Sequence, residues 1–307
     1  METITILFSD DTNFKYYTNL HIDGAFYVVE EDTIYVNKMN YTYAKSLFGR
    51  VKIWRRNSLK QLVKGKKLRL NYENIPAHTF VKLQKIANTE DISGVLLEKR
   101  RRKRKSEVNN IKRAGDITLN IIHNIDIKGK TEIDIANELL KETFNLGLDY
   151  AFKPIVATYN SSKYPHYKPR KKKIERFVLI DFGVKYKDYC GDITEVIFID
   201  KTYKKKYEQL KEVFFEIVDK LSDLMYGYEV DQLYKEIYKQ KHLRLMPHLI
   251  GHGIGLDVHE KPWLNKNSKD RLKYSVIAIE PSVYGRYGLR YEREVYIGKR
   301  PVMLNPD

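Results

Sequence analysis

Residues 246–260 read MPHLIGHGIGLDVHE and hold three of the chain's eight histidines among three glycines. Imidazole is the commonest metal-binding side chain and titrates near neutral pH, and glycine lets the backbone turn tightly or approach other groups closely. A helix surface with His248 and His252 four residues apart is the simplest alternative. Pro247 and the alternating glycines disfavour that alternative, because each weakens a helix interior. The stretch therefore predicts a chemical site.

Length and composition indicate a globular chain. Its 307 residues are 42% hydrophobic, enough for one large or two ordinary domains with a real core. No apolar run reaches the roughly eighteen residues of a membrane helix, and the start lacks the pattern of a signal peptide, so we expect a cytoplasmic protein with no membrane partner. The lone Cys190 excludes an intrachain disulfide framework and a cysteine-built zinc site. A metal would need oxygen and imidazole ligands.

The net charge of +16 raises the question of a nucleic-acid partner. Lys99–Lys105 (KRRRKRK) is the densest basic run, and Lys168–Lys173 is a second one. Lysine is abundant throughout the chain, so we interpret both runs as solvated linker, helix start or loop, and we do not expect nucleic acid to be the partner.

Residues 1–105 predict a small mixed α/β domain followed by the basic linker. Strands are expected in ITILFSDDTN, GAFYVVEEDTIYV, VKIWRRN, LRLNYENIP and GVLLEK, because these runs are rich in β-branched and aromatic residues. Helical spacing appears in TYAKSLFGR and AHTFVKLQKIAN. No catalytic constellation occurs here, which favours a scaffold, lid or dimer contact.

Residues 106–307 predict the second domain. Ser106 is a candidate helix cap, a second helix should begin near Thr131, and the hairpin RFVLIDFGVKYKDYCGDITEVIFI follows at 176–199. A turn centred between Tyr186 and Lys187 would place Asp181 opposite Asp192, with Cβ atoms about 5 Å apart. Two such carboxylates repel each other, and a cation between them would resolve the repulsion.

The same order of elements then recurs. Helices are expected at about 201–225 and 230–241, and after the histidine stretch the hairpin SVIAIEPSVYGRYGLRYEREVYIG occupies 275–298. A turn about Arg286 places Glu280 opposite Glu292. The second domain therefore predicts two similar halves, each with two helices followed by a hairpin that presents two carboxylates.

Four carboxylates and one imidazole suit two divalent cations. An oxygen-rich set with a single imidazole favours manganese, cobalt or iron at least as much as zinc. Two such ions can share a bridging hydroxide, and further histidines could stabilise a tetrahedral oxyanion. Amide hydrolysis is the reaction that this pattern predicts.

The order DFG(x8)D, GHGIGLDVHE, IEPxxY and RYE, over about residues 106–298, resembles the pita-bread metallopeptidases, the superfamily of methionine aminopeptidases, aminopeptidase P, prolidase and creatinase. The resemblance implies an α+β fold whose pita-bread catalytic domain has an internal pseudo-twofold. It implies five metal ligands, with Asp192 and Glu292 bridging: Asp181, Asp192, His252, Glu280 and Glu292. It also implies catalytic roles for Glu280 in proton transfer, for His248 and His259 at the substrate carbonyl, and for His166 in a loop of the prolidase branch.

The opening FSDDTNFKYYTNL, with Tyr284 and Arg290 as substrate-binding residues, resembles the prolidase and aminopeptidase P branch. That branch implies cleavage of Xaa-Pro bonds by a homodimer, with Glu280 shuttling the proton after attack by the bridging hydroxide. A prolidase acting on Xaa-Pro dipeptides with manganese or cobalt is the first expectation, and zinc or iron are alternatives. The other activities left open are an Xaa-Pro aminopeptidase acting on longer peptides and a catalytically silent protein that binds peptide or nucleic acid.

Two positions depart from the family pattern. Where the family commonly has Arg and then Asp, this chain has Glu195 and Arg293, and we predict that these two side chains keep an ion pair with the signs exchanged. Tyr159 stands where the family often has glycine, which predicts a reshaped substrate loop.

Overall fold

A computed structural model of the chain describes residues 2–55 and 57–306. It divides into two compact units, the first ending at Arg100 and the second beginning at Arg101. Among the described helices, none combines the length and the apolar character needed to cross a membrane.

The first unit is built on a mixed six-stranded sheet in the order β4-β3-β2-β1-β5-β6. β1, β2 and β3 pair antiparallel, and the other neighbours pair parallel. The strands are β1 (Thr3–Phe8), β2 (Phe26–Val28), β3 (Thr33–Val36), β4 (Val51–Ile53), β5 (Lys67–Leu70) and β6 (Asn88–Asp91). The helices are α1 (Thr12–Thr18), α2 (Tyr41–Leu47), α3 (Ser58–Val63), α4 (Ala77–Gln84) and α5 (Ser93–Arg101).

The predicted strand in GVLLEK is wrong, since these residues belong to α5. The Asp91 carboxylate accepts a hydrogen bond from the Ser93 backbone N–H at 2.9 Å and so satisfies one amide at the start of this helix. Leucine, glutamate, lysine and arginine are strong helix formers, and they fill its remaining turns. A short apolar run does not distinguish a strand from a buried helix segment.

In the second unit, α6 and α7 precede the first hairpin, and α8 and α9 precede the second. The helices are α6 (Lys105–His123), α7 (Glu132–Asn145), α8 (Lys204–Lys220) and α9 (Gly227–Gln240). The first strands are β7 (Asp149–Tyr150), β8 (Ile155–Thr158), β9 (Phe177–Phe182), β10 (Val184–Tyr186), β11 (Tyr189–Cys190) and β12 (Ile193–Phe198). The remaining strands are β13 (Gly251–Gly253), β14 (Glu260–Trp263), β15 (Val276–Ile279), β16 (Ser282–Tyr284), β17 (Gly288–Arg290), β18 (Arg293–Ile297) and β19 (Pro301–Met303).

The first hairpin contributes β9 and β12 to the three-stranded sheet β12-β9-β8, and the second contributes β15 and β18 to the five-stranded sheet β14-β13-β15-β18-β19. β9 is buried on both faces, because alternate side chains of a strand point to opposite sides. Phe177 and Leu179 join the core formed with α8 and α9, whereas Val178 and Ile180 join the core formed with α6 and α7. An isolated bridge between Thr194 and Glu292 links the first hairpin to the second.

The predicted register of the second hairpin is confirmed. Ile279 pairs with Arg293 on one side of the two glutamates, and Ser282 pairs with Arg290 on the other. Glu280 and Glu292 occupy the gap between these pairs at the same register.

The predicted register of the first hairpin is wrong: each residue of β9 pairs with a residue two positions later than predicted. Tyr186 pairs with Tyr189, and Asp181 lies opposite Thr194 rather than Asp192. The turn residues Lys187 and Asp188 both have positive φ, at 48° and 68°, which is the signature of a type I′ turn. Asp192 is therefore displaced two residues along the partner strand.

The basic run is partly buried, so its interpretation as a solvated segment is wrong for several residues. Lys103 Nζ lies 2.7 Å from Glu260 Oε1, and the two side chains are only 1% and 2% exposed. Arg101 Nη1 donates to the Lys273 carbonyl at 3.0 Å. The expected cap at Ser106 is also wrong: α6 begins at Lys105, and the Glu107 carboxylate accepts from the Arg104 N–H at 2.6 Å.

The predicted ion pair with exchanged signs is confirmed. Arg293 Nη2 contacts Glu195 Oε1 directly. Arg293 is fully buried and also donates to the Thr194 and Glu292 carbonyls at 3.1 and 2.8 Å. This cation joins the two hairpins behind the carboxylates.

Candidate metal centre

The five predicted ligands converge in one cavity of about 450 Å³. Asp181 lies on β9, Asp192 immediately precedes β12, and His252 is the middle residue of β13. Glu280 and Glu292 follow β15 and precede β18. The cavity is also lined by His166, His259 and Arg290, three of the predicted catalytic and substrate-binding residues.

Asp192, His252 and Glu292 form the tightest donor group. One ligand atom from each lies within 4.8 Å of the others, and all three side chains are buried. His252 Nδ1 hydrogen-bonds to the Gly253 carbonyl at 3.2 Å, while Nε2 lies 3.5 Å from Asp192 Oδ2. A backbone bond at one ring nitrogen fixes the tautomer and leaves the other nitrogen available to a metal.

The glycines that flank His252 are required by close backbone approaches. A Cβ on Gly251 would lie 1.9 Å from the Ala278 carbonyl oxygen, and one on Gly253 would lie 2.3 Å from the Lys261 backbone. Glycine therefore lets β13 lie against both neighbouring strands, which brings the imidazole to the carboxylates.

Thr194 and Arg290 connect the carboxylates of the two hairpins. The Thr194 hydroxyl donates to Glu292 Oε2 at 2.6 Å and accepts from Arg290 Nε at 2.9 Å. Arg290 Nη2 contacts Asp181 directly, and Arg290 Nη1 lies 3.6 Å from Glu280 Oε2. Arg290, one of the two residues predicted to bind substrate, thus lies among the predicted metal ligands, whereas Tyr284 is not among the residues that line the cavity.

The four predicted histidines occupy different positions around the carboxylates. The His259 and His252 rings meet edge to face with centroids 4.2 Å apart. His166 also lines the cavity, and its side chain is exposed. His248 does not line it: Nδ1 lies 3.6 Å from Glu280 Oε2, and Nε2 hydrogen-bonds to the Tyr284 hydroxyl at 2.9 Å.

Burial controls the ionisation of these groups. It raises the pKa of Asp181 to about 7, against the opposing effect of Arg290. Burial, followed by neighbouring carboxylates that include Glu292, also raises the pKa values of Asp192 and Glu280 well above their usual range. Burial lowers the pKa of His252 to about 3 and that of His248 to about 4, so both imidazoles are neutral near pH 7.

These residues fit a cation-binding role. Four carboxyl groups share the single positive charge of Arg290, and uncompensated buried carboxylates are costly. The buried Oδ1 atom of Asp181 has no hydrogen-bond partner among the described residues. Divalent ions held by oxygen and imidazole donors would satisfy both the charge and this unpaired atom.

Sequence reasoning did not identify three supporting residues. Besides Thr194, Glu294 is fully buried and accepts the Asp192 backbone N–H at 2.9 Å, and Glu260 is held by Lys103 next to His259. Their positions depend on partners that lie 98 to 157 residues away in the chain, which local patterns do not reveal. Tyr159, from which a reshaped substrate loop was predicted, is buried beside Tyr203 and Tyr287. It is not among the residues that line the cavity.

Comparisons with known proteins agree with this geometry. Residues 109–299 match the family model of metallopeptidase family M24. An uncharacterised peptidase of Methanocaldococcus jannaschii is 31% identical over 88% of this chain and 81% of its own length. The Xaa-Pro dipeptidase of Pyrococcus furiosus is 28% identical over 91% of this chain and 86% of its own length.

A solved structure confirms the fold. The X-Pro aminopeptidase of Thermotoga maritima superposes with a TM-score of 0.90 at 24% identity and covers 100% of this chain and 96% of its own. The predicted α+β pita-bread architecture, preceded by a mixed α/β unit, is therefore confirmed. The chain belongs to metallopeptidase family M24.

Proposed function

We propose that this protein hydrolyses Xaa-Pro bonds as a two-metal exopeptidase of the prolidase type. The observation that carries the proposal is the convergence of Asp181, Asp192, His252, Glu280 and Glu292 in one buried cavity. The name of the Pyrococcus furiosus relative, an Xaa-Pro dipeptidase similar over 91% of this chain, supports the substrate.

The side chains of Asp181, Asp192, His252, Glu280 and Glu292 would hold two divalent ions. One imidazole among four carboxylates suits manganese or cobalt, with zinc or iron as alternatives. Such ions, when bound, polarise an amide carbonyl and make water more acidic.

Side chains of the protein would then transfer the proton and stabilise the oxyanion. As water adds to the carbonyl carbon and the C–N bond breaks, the Glu280 carboxyl carries the proton from water to the proline nitrogen. His259 donates a hydrogen bond to the developing oxyanion. Burial lowers the pKa of His259, with Asp181 opposing the shift, so the ring acts in its neutral form.

The remaining predicted residues would orient Glu280 and hold the substrate. His248 and Tyr284 form a pair behind Glu280, which would fix the direction of its carboxyl group, and their contact with substrate stays a prediction. Arg290 lines the cavity and carries a permanent charge, so a substrate carboxylate is its natural partner once bound ions neutralise the aspartates.

An Xaa-Pro aminopeptidase is the alternative within the same chemistry. The fold match to the Thermotoga enzyme is compatible with either substrate length. A catalytically silent binding protein is less well supported, because the full donor set is retained. Burial of Arg101 and Lys103 also removes two cations from the surface that nucleic acid would need.

The deciding experiment uses protein stripped of metal with a chelator, to which manganese, cobalt or zinc is added singly. Metal-dependent cleavage of Met-Pro and Leu-Pro, but not of a longer Xaa-Pro-Xaa peptide, is the expected result. Cleavage of the longer peptide would place the protein with the aminopeptidases. Bound metal without any turnover would contradict the proposal and favour the binding protein.

The homodimer and the cytoplasmic location belong to the same proposal. Sedimentation equilibrium of the purified protein would test the first, since a dimer should show twice the 36.4 kDa chain mass. Fractionation of cells that express the chain would test the second.

A further inference from the structure

A carboxylate outside the metal centre holds the loop that carries His166. Glu132 is the first residue of α7 and is completely buried. A buried carboxylate is costly unless hydrogen bonds satisfy it. The groups that satisfy Glu132 all belong to β8 or to the rim loop, residues 159–176, which connects β8 with β9.

Three donors reach the Glu132 carboxylate. Oε1 accepts from the Thr158 backbone N–H at 3.0 Å. Oε2 accepts from the Tyr167 hydroxyl at 2.9 Å and from the Arg170 backbone N–H at 3.1 Å. One carboxylate therefore fixes the end of β8 and two points on the rim loop.

The side chain of Glu132 is not needed to start α7. Thr131 is the N-cap, and its hydroxyl and the Asp134 carboxylate complete a capping box. The helix backbone makes further contacts with the loop, since Glu132 N–H donates to the Lys172 carbonyl at 2.9 Å and Ile133 N–H to the Arg170 carbonyl at 3.1 Å. The Glu132 carboxylate thus stabilises the rim loop and the end of β8 rather than the start of the helix.

The bond to Tyr167 acts next to the predicted catalytic histidine. His166 and Tyr167 both line the cavity. His166 is exposed, so its position depends on the backbone that carries it. Earlier in the loop, Ser162 Oγ accepts from the Gly288 N–H at 2.9 Å, which ties this end of the loop to the second hairpin.

We propose that Glu132 and Tyr167 are positioning residues that fix the rim loop and thereby hold His166 at the mouth of the cavity. The carboxylate contacts the loop and not the substrate. The part of this inference that concerns turnover rests on the proposed function, whereas the order of the rim loop can be measured without it.

Tyr167→Phe tests the inference with the smallest change, because it removes one hydroxyl and keeps the ring. The hydroxyl donates to a charged group, and such hydrogen bonds are among the stronger ones, so kcat/KM for Leu-Pro should fall about tenfold or more, mainly through KM, with bound metal unchanged. Tyr164→Phe is the matched control: Tyr164 lies in the same loop, is 56% exposed and does not line the cavity. Equal rates for the wild type and Tyr167→Phe would overturn the inference.

A double-mutant cycle tests whether the pair acts through His166. Coupled residues give non-additive effects, so Tyr167→Phe should cost little in a His166→Ala background. The same loss in both backgrounds would show that Tyr167 acts elsewhere and would overturn the positioning role.

Limited trypsin digestion gives a readout that does not require activity. Arg170, Lys171, Lys172 and Lys173 offer cleavage sites within the rim loop, and native-state proteolysis follows the population of the open form. Glu132→Gln and Tyr167→Phe should be cut here several times faster than the wild type and Tyr164→Phe. Unchanged cutting would overturn the inference even if no Xaa-Pro activity were found. If Glu132→Gln fails to fold, the digestion of Tyr167→Phe still tests the inference.

Discussion

The two hairpins present their carboxylates differently. In the second, Glu280 and Glu292 share one register position between regular strand pairs. In the first, the turn at Lys187 and Asp188 places Asp181 opposite Thr194 and leaves Asp192 two residues further along. A similar order of elements has therefore produced two different presentations of a carboxylate pair.

The difference shows that the five predicted metal ligands can converge without symmetric hairpins. Residues 290–294 of the second hairpin contact the first one almost residue by residue: Arg290 on Asp181, Glu292 on Thr194, Arg293 on Glu195 and Glu294 on the Asp192 amide. These contacts between the hairpins compensate for the shifted register. Breaking them one at a time should reveal their order of importance.

The largest effect is expected when a donor itself is removed. Asp192→Asn and Glu292→Gln keep the shape but lose the charge, so each should lower metal affinity by more than the roughly 10–100-fold typical of an outer-shell partner and abolish peptidase activity. Calorimetric metal titration and Leu-Pro hydrolysis would measure both. Asp188→Asn, in the turn of the same hairpin, is the control, because asparagine tolerates positive φ. Full activity in either variant would rule out its ligand role.

The next largest effect concerns the ion pair between the hairpins. Arg293→Asp or Glu195→Arg alone would place like charges together in a buried position, and breaking a buried pair costs about 3–5 kcal/mol. The double variant Glu195→Arg/Arg293→Asp exchanges the two signs and should recover much of this loss. Urea unfolding of the three variants would give the free energy of unfolding of each and so measure the recovery. A double variant no more stable than the sum of the two losses would disprove direct pairing.

The pH dependence of the free energy of unfolding should differ between the metal-free and the metal-loaded protein. Burial raises the pKa of Asp181 in the folded protein to about 7, above the value of about 3.9 for an unfolded chain. The folded state therefore binds more protons than the unfolded state in this interval, and stability falls as pH rises, by about 1.4 kcal/mol per pH unit. Metal-free protein should lose stability at least this steeply in urea unfolding between about pH 4 and 7, because the pKa values of Asp192 and Glu280 are raised in the same direction, and Asp181→Asn should reduce the slope by the share of one proton. An unchanged slope in that variant would assign the effect to other groups.

The smallest effect is expected from the hydroxyl between the hairpins. Thr194→Val keeps the strand but removes the bond to Glu292 and the acceptor for Arg290. A reduction of about tenfold in metal affinity is expected, while Thr194→Ser should retain most of it. If valine and serine behave alike in the metal titration, the hydroxyl does not orient Glu292.

Local sequence patterns were sufficient for much of this description. Apolar residues at helical spacing predicted α6 to α9, and uninterrupted apolar runs in the two hairpins predicted β9 and β15. Gly285 and Gly288 located the second turn, which fixed the register of Glu280. The imidazole of His252 was recognisable because glycines surround it in a stretch unsuited to helix.

The errors arise where distant partners, or the backbone conformation of a turn, decide the outcome. β6 has the sequence NTED, with no apolar residue, and it exists because it pairs with β5. Lys103 is buried because Glu260 offers a partner 157 residues later. The shifted register of the first hairpin followed from the positive φ of Lys187 and Asp188, a conformation that local composition did not indicate.

The contacts between the hairpins also have a consequence for the folding pathway. Asp181 and Arg290 are 109 residues apart, Thr194 and Glu292 are 98 apart, and Asp192 and Glu294 are 102 apart. Contacts of such long sequence separation form slowly, because a large loop must close first. During refolding the helices should therefore appear before the cavity, and the capacity to bind metal should return last, when both halves have docked.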